Sequence, residues 1–173
     1  MEEQEFDFKK YQSLKGRAAF EQRVNHGLQP VVDIAGQPYY VNVRIGLLEP
    51  ADLTNDAIRL YDLKRDQRTG DLFFYCTGDS RQLLPYPDPG TGLPAGAFKV
   101  DIPHEYYLDP VGMARKNGKE DLRYYMHGHT VGAGFLLKMY HKAKITPVGK
   151  QLSTGEGLKT ATKTKAKNKP RGL

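Results

Sequence analysis

VVDIAGQPYYVNVRIGLL, residues 31–48, reads as two strands joined by a turn. Gly36, Gln37 and Pro38 are turn formers. After them Tyr39, Val41, Val43, Ile45 and Leu47 alternate with Tyr40, Asn42, Arg44 and Gly46. A period of two places the first set on one apolar face, the pattern of a half-buried hairpin strand. Glu49-Pro50 closes the element, because proline lacks the N–H that a strand ladder needs.

Working outward, residues 57–77 predict a second hairpin. Ile58, Leu60 and Asp62 alternate with Arg59, Tyr61 and Leu63, the charged segment KRDQRTGD turns at Gly70, and LFFYCT returns. Residues 78–96 hold four prolines among several glycines, which neither a helix nor a central strand tolerates; this long loop is a candidate lid or partner-binding segment with Tyr86 as its anchor. AFKVDIP predicts a strand with Phe98, Val100 and Ile102 on one side. Asp109-Pro110 opens a short helix over 110–116, and Asn117-Gly118 closes it.

On the N-terminal side the chain is an acidic segment over 1–12 that begins to pack at Phe6, with Phe8 and Tyr11. Ser13 is placed to cap a helix over 14–25, and Asn25-His26-Gly27 is a left-handed stop. Gly16 costs that helix about 1 kcal/mol relative to Ala, so docking has to stabilise it. Leu122, Tyr124 and Met126 alternate as in a strand. The segment 135–144 reads as a helix because Leu, Lys and Met dominate it, although Leu137, Met139 and Ile145 also fit a strand.

The fold class expected is a single α+β domain over 13–156. It is β-rich, an antiparallel sheet of two hairpins plus further strands covered by the N-terminal helix, with a disordered basic tail over 157–173. The chain's 173 residues suffice for one core. No apolar run approaches the roughly 18 residues of a membrane span, and the first residues are acidic where a secretory signal is basic and then apolar, so a cytoplasmic protein without a membrane partner is expected. The single Cys76 excludes an intramolecular disulfide and argues against a thiolate zinc site; its reading is a small buried hydrophobe.

The formal net charge is +6, but it is unevenly placed. Residues 158–173 carry Lys159, Lys163, Lys165, Lys167, Lys169 and Arg171 and no acid. Subtracting these six from the 26 Lys and Arg leaves 20, against 20 Asp and Glu in positions 1–157. A cationic segment of this kind attracts phosphate backbones through counterion release, with little sequence preference.

Two further constellations carry chemistry. His127-Gly128-His129 presents two imidazoles on one face of an extended backbone, a spacing usable by a metal if His104, His141, Asp109 or Glu105 completes the set. GHTVGAGF, with His127, His129, Thr130, Gly132 and Gly134 as the ligand-binding candidates, lies where free N–H groups at a helix start could cradle a phosphate. It lacks the third close-packing glycine of a dinucleotide loop and the Gly-Lys-Ser/Thr ending of a mononucleotide loop. Triples such as Ser80 or Thr130 with His127 and Asp101 have no motif linking them, and no catalytic residue or cofactor is assigned.

The leading expectation is a small, non-catalytic, intracellular interaction module whose lysine-rich tail lends nonspecific affinity for nucleic acid, another protein being the other partner class. The alternative is a metal- or phosphate-ligand-binding domain or enzyme using the 127–134 segment.

Overall fold

The structure, a computed structural model, describes residues 6–52, 56–78, 83–88, 90, 92–119 and 137–148. Within them four α-helices and two sheets form an α+β fold. The chain enters through α1 (Phe8–Ser13) and α2 (Gly16–Asn25). A single helix capped by Ser13 does not form. Asp7 caps α1, its Oδ1 accepting from the Lys10 N–H at 3.0 Å, and the Ser13 hydroxyl donates to the Lys10 carbonyl at 2.7 Å, at the closing end of that helix. The break between the helices is tertiary in origin. Gly16 adopts φ 58°, open to glycine without a Cβ penalty, and its N–H donates to the Leu137 carbonyl at 2.7 Å.

The first sheet has the order β4-β3-β2-β1-β9. Its strands are β1 (Val31–Ile34), β2 (Gln37–Asn42), β3 (Leu47–Pro50), β4 (Ile58–Arg59) and β9 (Tyr140–Lys142), with β1 and β9 parallel and the other pairs antiparallel. The turn lies one residue earlier than the Gly36-Gln37-Pro38 reading, at Ala35-Gly36, both at positive φ as a tight hairpin with right-handed strand twist requires, while Gln37 and Pro38 already pair with Ile34 and Asp33 in the ladder. The alternation from Tyr39 to Leu47 is not one strand. It breaks at 43–46, where Gly46 turns left-handed at φ 72°, and Ile45 is left exposed.

The second sheet has the order β10-β8-β6-β5, with β7 also paired to β6. Its strands are β5 (Lys64–Arg65), β6 (Leu72–Thr77), β7 (Leu83–Leu84), β8 (Ala97–Ile102) and β10 (Lys144–Pro147). The predicted 57–77 hairpin is therefore divided between two sheets. Residues 58–59 pair with β3, a 3-10 turn follows at Leu60–Asp62, and only β5 pairs with β6. Asp66 makes the turn, its Oδ1 accepting from the Arg68 and Thr69 N–H groups at 2.8 and 3.0 Å.

Residues 137–144 are not helical. Val31 donates to the Met139 carbonyl at 2.8 Å and β9 runs parallel to β1, so sheet pairing overrides the helix propensity of Leu, Lys and Met. Residues 135–136 and the predicted strand at 122–127 lie outside the described residues.

The two sheets share one core. Val32, Ile34, Val41 and Leu48 of the first meet Leu72, Phe74, Val100 and Ile102 of the second. The opposite face of the first sheet, carrying Val31, Tyr40 and Tyr140, is covered by Tyr11, Ala19, Phe20 and Val24 of α1 and α2. Two further helices, α3 (Glu105–Leu108) and α4 (Pro110–Lys116), contribute to both cores, Leu108 and Met113 to one and Val111 to the other. Asp109 caps α4 and joins the layers. Its carboxylate accepts the Arg23 Nε at 3.0 Å, Nη2 at 2.7 Å and the Gly112 N–H at 2.9 Å while wholly buried. A two-pronged arginine contact plus a backbone donor satisfies an ion that burial would otherwise penalise heavily.

Candidate functional site

The break between α1 and α2 creates the site. Leu14 accepts from the Met139 N–H at 3.3 Å and Gly16 donates to Leu137, so Lys15 and Lys138 face each other across an isolated antiparallel bridge. Side chains directly opposite in such a pair are close neighbours, and like charges there repel. Lys142 at the end of β9 joins them around a cleft of about 520 Å³. Three lysines line this cleft and, among the described residues, no Asp or Glu does. The balance of charge over residues 1–157 therefore conceals a local segregation, and an anion in the cleft would relieve the repulsion it creates.

Uncharged polar groups complete the lining: Gln12 from α1, Tyr11, Tyr140 and His141. The Tyr140 hydroxyl donates to Asp33 Oδ2 at 2.8 Å; burial first, then Asp33, push its pKa up, so it stays protonated. Burial and the neighbouring Tyr40 push the Tyr11 phenol up to about 12. The Nε2 of His141 is enclosed and meets no hydrogen-bond partner. Burial drives this imidazole down to about 4, with the Lys138 charge adding to the effect; the backbones of Leu108 and Lys138 and the Asp109 carboxylate pull the other way without prevailing. It is neutral at pH 7. The cleft thus gathers lysines together with neutral hydrogen-bonding side chains.

The chain matches no family model, no curated protein and no solved structure. The site therefore rests on its own geometry.

Of the residues singled out from sequence, His127, His129, Thr130, Gly132 and Gly134 lie outside the described residues, as do Lys159, Lys163, Lys165, Lys167, Lys169 and Arg171. His104 is placed structurally. It caps α3, its Nδ1 accepting from the Tyr106 N–H at 3.2 Å, and its ring stacks on Tyr106 at 5.2 Å between centroids. Glu105 is paired with Arg65, at 2.8 and 3.0 Å; burial opposes ionisation, but the guanidinium holds the carboxyl below its usual range. Asp109 is committed to Arg23. Among the described residues no three His, Cys, Asp or Glu side chains gather as a metal site, so His104 and His141 are not drawn together as ligands.

Sequence reasoning reached His141 but missed Lys15, Lys138 and Lys142. No local pattern marks them, since each is one lysine among many until the bridge at Lys15 brings distant segments together.

Among the described residues no helix is long and apolar enough to cross a membrane. Tyr86 is not a free anchor. Its hydroxyl donates to the Phe73 carbonyl at 2.7 Å and accepts from the Lys64 N–H at 2.6 Å, which ties that part of the 78–96 loop to the second sheet.

Proposed function

We propose that this protein is a non-catalytic interaction module for polyanions, with the phosphate backbone of nucleic acid as its partner. The observation that carries the reading is the cleft of Lys15, Lys138 and Lys142, cationic and without a described carboxylate in its wall. The lysines from Lys159 to Lys169 and Arg171 add charge of the same sign without a competing acid. Ammonium groups bind phosphate as point charges and release condensed counterions, so affinity falls with salt by a logarithmic slope of about −0.9 per phosphate neutralised on duplex DNA.

The test is fluorescence anisotropy of labelled DNA across a salt series. Replacing Lys15, Lys138 and Lys142 together by Glu is expected to weaken binding at least tenfold and flatten the slope by about 3. Truncation after Gly157 measures the share owed to the C-terminal lysines. Binding that vanishes on truncation and ignores the triple replacement assigns the contact to the tail alone. Binding by neither form ends the reading.

The size of the cleft also suits a second, smaller occupant, a phosphate-bearing small molecule, since about 520 Å³ lies in the ordinary range of ligand sites. Calorimetric titration with inorganic phosphate separates the two: heat that the triple replacement removes supports it.

A further inference from the structure

We propose that the lysine cleft and His141 in its wall act as one proton-linked site, in which an anion is taken up together with a proton on the imidazole, so that acid tightens binding. This rests on the anion-binding reading above and adds the regulation of that same site.

The position of the ring comes first. His141 lies between Tyr140 and Lys142 on β9, and all three line the cleft together with Lys15 and Lys138, which face each other across the isolated bridge. Its Nε2 is enclosed and meets no hydrogen-bond partner. Buried polar atoms are rarely left so, and each one calls for a reason.

The neighbours decide whether a proton stays on the ring. Burial opposes the charged form most, and the Lys138 charge adds to it; the backbones of Leu108 and Lys138 and the Asp109 carboxylate favour it. Asp109 has little more to give, because Arg23 already holds it at 3.0 and 2.7 Å and the Gly112 N–H at 2.9 Å. The other groups of the cleft are Lys15, Lys142, Gln12 and the phenols of Tyr11 and Tyr140, both of which burial keeps protonated. Asp33 lies behind Tyr140, its Oδ2 accepting from that hydroxyl at 2.8 Å and its Oδ1 from the Gly36 N–H at 2.7 Å. Among the described groups around the ring, the lysines are therefore the charges that a ligand in the cleft can change.

An anion seated among them offsets the field that opposes the proton. A charge of opposite sign within about 4–6 Å moves a pKa by roughly 1–3 towards the charged form. Linkage is reciprocal, so whatever factor the anion adds to proton affinity, the proton adds to anion affinity. The site is weakest while the imidazole is neutral and strengthens as pH falls towards the range in which the ring titrates.

The probe is sulfate, whose charge is the same at pH 7 and pH 5, added to the full chain in a calorimetric titration at both values. Wild type is expected to bind it about two- to tenfold more tightly at pH 5. In His141→Gln, whatever its affinity at pH 7, the ratio between the two values should be near one; Asp33 is present in both proteins, so its response to acid cancels. A second measurement needs no variant. The His141 ring resonance, followed by NMR, should titrate at about 4 in the free protein and at a higher pH with saturating sulfate. Sulfate binding that the Lys15, Lys138 and Lys142 replacement removes, with equal ratios in wild type and His141→Gln and an unmoved ring titration, overturns the coupling and leaves the cleft reading standing. Sulfate that binds at neither pH overturns the coupling together with the small-anion occupant, and the DNA salt series then judges the polyanion reading by itself.

Discussion

Strand β1 is buried along its whole length, whereas β6 buries only every second residue. The difference follows from what each sheet is packed against. The first sheet has the second on one side and α1 and α2 on the other, so Val32 and Val31, adjacent in sequence, end in different cores. Among the described residues the second sheet packs one face on the first, and its other face keeps the aromatic and charged residues that alternation places there, with Tyr86 laid against Phe73 and Tyr75. The lesson is that a sheet packed on both faces buries every residue of its central strand, while one packed on a single face keeps the period of two.

The contrast can be broken most forcefully on the closed side. Asp109→Ala leaves Arg23 buried without its partner and α4 without its cap, and is expected to cost about 3–5 kcal/mol in chemical denaturation. A loss near zero would mean that the helix layer is not held by this pair.

Next in size is a dependence on pH. His141 has a folded pKa of about 4 against an ordinary 6.5, so the unfolded chain binds a proton that the folded one refuses. Its contribution to stability is complete above pH 6.5 and is lost as pH falls from there towards 4, by about 3 kcal/mol over the window. Denaturation midpoints of wild type and His141→Gln measured through this range should converge towards low pH. Parallel curves would show that the ring is not buried.

The smallest effect is expected on the open face. Tyr75→Leu should change stability by less than about 1 kcal/mol, because a half-buried outward residue leaves no cavity behind it. A loss of several kcal/mol would show that this face belongs to the core.

Much of the fold was legible where local chemistry decides. A hairpin turn at Gly36, though one residue earlier than read, the inward set Phe98, Val100 and Ile102, and the helix from Pro110 capped by Asp109 each follow from a period or a cap confined to a few residues. Errors arose where a distant strand intervened. Ser13 is a good capping residue, but pairing of residues 14–16 with residues 137–139 moved the helix start past it. Leu, Lys and Met at 137–142 favour a helix in isolation, and the parallel register with β1 overrode them. The Ile58–Leu63 alternation was real, yet its two ends were recruited by different sheets.

By itself the sequence determined the α+β class, the hairpin turns and the uneven placement of charge, because apolar periodicity, glycine and proline act over a few neighbouring residues and need no partner. Only the tertiary structure decided which lysines meet and which aromatic residues lie outside the core that the two sheets share. Both depend on strand pairing between segments remote in the chain, and the free energy of that pairing comes from burial that no local window records.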